Sequence, residues 1–124
     1  MVDISRLSGG LRYALDEGLL QLSDAEVDGL LDDDGCAALV LKPSLVGGVE
    51  AAARLAARAA ARGKPAVLTA AFESGVAHAH LALAAAAFGG ASVAHGLSTH
   101  ERLAEDALEP PFSELFADGD LVDV

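Results

Sequence analysis

Along the chain, short aliphatic runs alternate with longer segments of helical periodicity. The first run, LRYALD at 11–16, reads as a strand that ends on an acid and leads into Glu17 and Gly18. LSDAEVDGLLDDDG at 22–35 reads as a helix, with Ser23 or Asp24 as N-cap and Val27, Leu30 and Leu31 at helical spacing. CAALVLK at 36–42 is an unbroken apolar run of the kind that buried parallel strands show. Gly47 and Gly48 then let the chain turn into VEAAARLAARAAARG at 49–63, the strongest helical pattern of all. In it Arg54, Arg58 and Arg62 recur every four residues as one solvated stripe, and Glu50 can pair with Arg54. Val49, Ala52, Leu55, Ala56 and Ala59 line the opposite face, Gly63 suits the position just past the helix end, and Pro65 prevents its continuation. AVLTAAF at 66–72 is the next strand, GVAHAHLALAAAAFGG at 75–90 the next helix, and ASVAHGLST at 91–99 a last short strand.

Strands and helices alternating every 25–30 residues or so predict repeated βα units and a parallel sheet. The four strands end near Asp16, Lys42, Phe72 and Leu97. Four such units make half of an eight-stranded barrel or a small open sheet, and the pattern alone does not choose. Residues 1–10 form a leader of uncertain order, 11–106 the folded region, and 107–124 an acidic tail with Pro110-Pro111 that closes on LVDV.

At 124 residues there is room for one domain with one modest core. Alanine supplies much of the 52% hydrophobic content, with only four Phe and one Tyr as aromatic side chains, so helices form easily around few large core groups. A net charge of −11 argues against DNA, RNA or an anionic membrane surface as partner, because no basic patch stands out to release counterions. The weakly polar stretch at 76–88 falls short of the roughly 20 apolar residues of a membrane span. MVDISRLSGG has no continuous apolar region of a targeting signal. The single Cys36 rules out an internal disulfide and reads as a small apolar residue at a strand start. His78 and His80, two apart on a helix, point about 200° apart and are poorly placed to share a ligand. With His95 and His100 they read as surface or loop residues. The glycines after Val46 could cradle a phosphate, but turn geometry accounts for them as well.

Parallel α/β architectures gather their chemistry at the carboxyl ends of the strands. Those ends carry Asp16-Glu17, Lys42, Glu73-Ser74 and the HGLSTH segment at 95–100. Lys42 is the sharpest of them: flanked by Leu41 and Pro43, it has little freedom to turn away, so it is expected to face a site mouth.

LVLKPSLVGGVEAAARLAARAAARGKPAVLTAAFESG, with ALDEGL before it and HGLST after it, resembles the late part of o-succinylbenzoate synthase, an enolase-superfamily enzyme of menaquinone and phylloquinone biosynthesis. The likeness runs from about Arg12 to Asp106 and is greatest to the version carried in a multidomain protein of plants and algae. It implies an α/β fold: the C-terminal half, strands five to eight, of an enolase-superfamily (β/α)7β barrel. It implies Asp16 as the third of three acidic Mg2+ ligands and Lys42 as the catalytic lysine of strand six. Glu73, Ser74 and Gly75 match the strand-seven segment that borders the substrate, and Gly96 to Thr99, with Gly96 and Ser98 as substrate-binding residues, match the strand-eight loop. The spacing from Asp16 to Lys42 is a few residues longer than in some bacterial relatives, and DDDG at 32–35 can hold the extra length.

The family's proton-abstracting base is the second lysine of a Lys-x-Lys motif, whereas Lys42 and Lys64 are the only lysines here. With one metal ligand of three and one catalytic lysine of two, this polypeptide is expected not to perform the family reaction by itself or to hold Mg2+ tightly. It is expected to be a fragment of a longer protein, or to pair with a missing N-terminal half or with itself, around a small carboxylate substrate. A non-catalytic α/β interaction or assembly module is the alternative, and another enolase-superfamily activity, epimerase or cycloisomerase, is a weaker one. The plant-like motifs suggest a plastid if the source is a photosynthetic eukaryote, and cytoplasm otherwise.

Overall fold

The computed structural model describes residues 10–89 and 93–107, together with Glu109 and Glu114. Its centre is a three-stranded parallel sheet in the order of the sequence: β1 (Tyr13–Leu15), β2 (Cys36–Leu41) and β3 (Ala66–Leu68). Leu15 lies opposite Leu39, Leu39 opposite Ala66 and Leu41 opposite Leu68. These five side chains share one face and are all buried, with Leu39, Leu41 and Leu68 completely so. The other face carries Ala14, Ala38, Val40 and Val67, which are exposed or only half-buried. Its alternation leads at the strand ends to Asp16 and Lys42.

Among the described residues of the fourth strand expected at 91–99, Gly96 forms a parallel bridge with Thr69. Gly96 donates to Leu68 O and accepts from Ala70 N, both at 2.9 Å, beside Thr69. A Cβ on Gly96 would come 2.9 Å from Thr69 Cγ2, so the close approach needs glycine. Beyond it the backbone winds into a 3-10 turn at Ser98–Arg102, while residues 90–92 lie outside the described residues.

Helix α1 (Asp24–Leu31) starts at Ser23 with a capping box: Ser23 Oγ accepts from Glu26 N, and Glu26 Oε2 accepts from Ser23 N. It is shorter than the expected 22–35 because DDDG makes the turn into β2. There Asp33 accepts from Gly35 N and from the Tyr13 hydroxyl. Those donors hold its carboxyl below the ordinary carboxylate value.

A one-turn helix α2 (Pro43–Val46) follows β2, with Pro43 at its first position and Gly47 and Gly48 at φ 102° and 103°. Helix α3 (Val49–Ala60) buries Ala52, Ala56 and Ala59 as the periodicity predicts. It runs out through a Schellman turn, in which Lys64 N donates to Ala59 O and Gly63 N to Ala60 O, with Gly63 at φ 67°. The arginine stripe is not simply solvated. Arg54 pairs with Glu50, but Arg58 reaches Asp24 and Asp28, and Arg62 reaches Asp28 and Asp32. Asp24, Asp28 and Asp32 recur every four residues too, so an acidic stripe on and just beyond α1 meets the basic stripe on and just beyond α3.

Helix α4 (Gly75–Ala84) continues as a π turn over Ala85–Gly89, and Phe88 packs against both apolar clusters of the core. No helix among the described residues is long and apolar enough to cross a membrane.

Candidate active-site mouth

The charged strand ends converge. Lys42 Nζ donates to Asp16 Oδ1 at 2.5 Å and to Glu17 Oε1 at 2.7 Å, across 26 and 25 residues of sequence. The sheet accounts for the first contact: Leu15 lies opposite Leu39, so Asp16 follows level with Val40, and Lys42, two residues further along the same face, reaches back to it. A 3-10 turn at Glu17–Gln21 accounts for the second: Leu19 N donates to Asp16 O and the buried Leu19 side chain anchors the turn, which leaves Glu17 beside the ammonium. Burial alone would lower the Lys42 pKa, but the two carboxylates outweigh it and hold the ammonium above its ordinary value. Lys42 in turn, first by its hydrogen bond, holds Glu17 below the ordinary carboxylate value. The exposed side chains of Leu20 and Leu45 stand at the same shallow hollow.

A second polar pair joins the Lys-Pro-Ser and Phe-Glu-Ser-Gly elements. Ser44 Oγ donates to Glu73 Oε1 and Ala71 N donates to Glu73 Oε2, both at 2.5 Å. Burial would raise the Glu73 pKa, but these donors win and keep it below the ordinary value. Phe72, just before it, is exposed and sits at φ 63°, the left-handed region that costs an ordinary residue roughly 1–2 kcal/mol. Behind Ser44 and Glu73, between the starts of α3 and α4, lies a cavity of about 360 Å³ walled by Pro43, Val49, Val76 and Leu81.

The remaining predicted residues take varied places. Ser74 caps α4 by position, without a side-chain hydrogen bond to the helix. Gly75 is buried, and its N–H donates to Asp106 Oδ1 at 2.6 Å. Gly96 lies in the bridge to Thr69, and Ser98 is exposed at the start of the 3-10 turn. The Lys42 and Glu73 groups are not hydrogen-bonded to each other.

One histidine departs from expectation. His78 is completely buried rather than on a surface or loop. Its Nδ1 lies 3.1 Å from Glu73 O and its Nε2 3.2 Å from Thr99 Oγ1, so it ties the Phe-Glu-Ser-Gly segment to the HGLST segment. Its place in the first turn of an alanine-rich helix gave little warning of this. His95 Nδ1 accepts from Leu68 N at 3.1 Å, and His80 is exposed. Among the described residues, Thr69 Oγ1 is a buried hydroxyl without a partner.

A divalent cation does not fit these residues as they stand. Among the described residues no three His, Cys, Asp or Glu side chains group closely enough to hold one, and an ammonium lies against Asp16 Oδ1. Magnesium needs an oxygen-rich shell of near-octahedral geometry.

The structure thus defines an α/β protein whose parallel strands end in a charged mouth built on Asp16, Glu17 and Lys42. The chain is 37% identical over 115 residues to Protein PHYLLO, chloroplastic, of Arabidopsis thaliana. That similarity covers 80% of this chain and 7% of the relative, so the chain spans a small part of the protein it matches. No protein-family model matches it.

Proposed function

We propose that this chain is the C-terminal half of the barrel of an o-succinylbenzoate synthase, supplying Lys42 and Asp16 to a site that further strands and acids complete. The observation that carries this reading is the meeting of Asp16 and Lys42 at the ends of neighbouring parallel strands, 26 residues apart in sequence. Three further features support it. The strands run β1, β2, β3 and then Gly96 without reversal, as successive barrel strands do, whereas doubly wound sheets reverse at a switch point. One sheet face is left half-exposed, although parallel sheets ordinarily bury both. The two motif segments of the resemblance bond directly through Ser44 and Glu73. Similarity to PHYLLO favours a place in phylloquinone biosynthesis and in a plastid.

The reaction removes a proton alpha to a carboxylate of a cyclohexadiene and eliminates water, producing an aromatic ring. The electron pair left by the proton spreads onto the carboxylate as an enediolate, and the Lys42 ammonium stabilises that charge from a fixed position. The base must come from outside the chain. Lys64 cannot replace it, because its Nζ donates to Asp33 O and Cys36 O, each at 2.6 Å, and serves the turn into β2. The family's Mg2+ would likewise need carboxylates beyond Asp16.

The test is dehydration of the cyclohexadiene carboxylate, with Mg2+ supplied, by the purified chain and its Lys42→Ala variant. The expected result is no turnover by either. Turnover that Lys42→Ala abolishes would show that the chain assembles a whole site, which overturns the half-barrel reading.

A further inference from the structure

The resemblance gives Asp16 to a metal and Lys42 to the substrate, yet the two side chains are in direct contact. Lys42 keeps only 15% of its side chain exposed, with its ammonium gripped by Asp16 at 2.5 Å and Glu17 at 2.7 Å. A magnesium ion would sit about 2.0–2.1 Å from a carboxylate oxygen with oxygen neighbours around it. An ammonium at hydrogen-bond distance from the same oxygen stands within the space that the ion and its waters need. Two carboxylates and one ammonium also leave the cluster at a formal −1, so most of the attraction for a second cation is already spent.

We propose that in this chain by itself, before further acids complete the site, Lys42 is the resident cation of this mouth, a tethered ammonium that takes the Asp16 carboxylate in place of a divalent ion and keeps the Asp16–Glu17 pair closed to metal. The proposal rests on the reading of Asp16 as the ligand position, but it does not require turnover. The fold builds the device from parts that do not depend on a metal. Strand pairing puts Asp16 level with Val40, within reach of Lys42 two residues further along the same face, and the turn anchored by Leu19 places Glu17 beside the ammonium as well. Because the ammonium is attached to β2, its local concentration at Asp16 is that of an intramolecular partner, and a free ion must compete against it. Glu17 gives the ammonium a second carboxylate, so movement away from Asp16 leaves it beside the same mouth. Removal of the charge with the stem retained leaves two adjacent carboxylates facing the vacated position.

The probe is Mn2+, followed by its free-ion electron paramagnetic resonance signal against the full chain. Lys42→Met should gain one Mn2+ site absent from the wild type and at least tenfold tighter than any wild-type background binding. Lys42→Arg keeps a cation and should stay closed, and Lys42→Met combined with Asp16→Asn should lose the gained site. Wild type and Lys42→Met giving the same isotherm would overturn the proposal, as would a gain in Lys42→Arg. A measurement that needs no variant stands beside these: in wild-type protein the Asp16 and Glu17 amide resonances should stay sharp in Mn2+, and selective broadening there would overturn it. Since each readout is metal binding, the enzymatic reading can fail its turnover assay without altering this result.

Discussion

Replacing Gly75 by alanine should release the segment around Asp106 while leaving the fold nearly as stable. A Cβ built on Gly75 lies 2.3 Å from Asp106 Oδ2 and 2.7 Å from Oδ1, far inside any real contact. The carboxylate must retreat by about 1 Å, which stretches the 2.6 Å bond from the residue 75 N–H beyond hydrogen-bond range. A hydrogen bond to a charged group contributes about 1.5–3 kcal/mol when well shielded, and the half-buried Asp106 reduces that to about 1 kcal/mol. Against this, a Gly→Ala change at a position without positive φ contributes about 0.4–1 kcal/mol through the unfolded chain. The terms nearly cancel, so urea midpoints should agree within about 1 kcal/mol. Local protection does not share the compensation. Hydrogen exchange at the residue 75 amide should quicken about fivefold, the equivalent of the lost ~1 kcal/mol. Asp106→Asn, which keeps a neutral acceptor, should give a smaller change. Unchanged exchange in Gly75→Ala would refute the argument, because the carboxylate would then have another way to reach that amide.

Glu73 has a folded pKa below its ordinary value of 4.5, so its contribution to stability is present above 4.5 and disappears as pH falls through the lower folded value. Melting curves across that acid range should therefore show the wild-type advantage over Glu73→Gln shrinking as pH falls. Arg58→Met should cost about 1 kcal/mol at low salt and less in 1 M NaCl, where screening is about 3 Å, as denaturation at the two salt concentrations would show. Leu41→Ala, on the covered sheet face, should cost about 2–5 kcal/mol, whereas Val40→Ala on the half-exposed face should cost under about 1.5 kcal/mol; equal losses would mean that both faces are packed.

Much of the architecture is legible because it rests on local patterns. The aliphatic runs gave β1, β2 and β3, and the alanine face of α3 with Gly63 and Pro65 gave a helix and its stop. Lys42 at the end of an apolar run stands, as its position suggests, at a strand end, where its ammonium meets Asp16 of the neighbouring strand end. What escaped depends on distant residues. Arg58 and Arg62 looked merely solvated because their partners lie 30 to 34 residues away, although the four-residue recurrence of Asp24, Asp28 and Asp32 was a usable signal. His78 is buried through contacts with Glu73 and Thr99 that no local pattern encodes. The one-turn α2 is too short to show a period, and the described part of the segment expected as a strand at 91–99 holds a bridge at Gly96 and a turn from Ser98.

On the proposed reading, Lys42 works in a barrel that this chain only half supplies. The most direct test of that reading is to mix the purified chain with the separately produced N-terminal half of an o-succinylbenzoate synthase, bearing the Lys-x-Lys motif and the two upstream acids, and to measure dehydration of the cyclohexadiene carboxylate. Turnover is expected from the mixture, none from either part alone, and none from the mixture when Lys42 is replaced by alanine. Turnover by the mixture that is indifferent to Lys42, or a chain that never associates with that half, would contradict it.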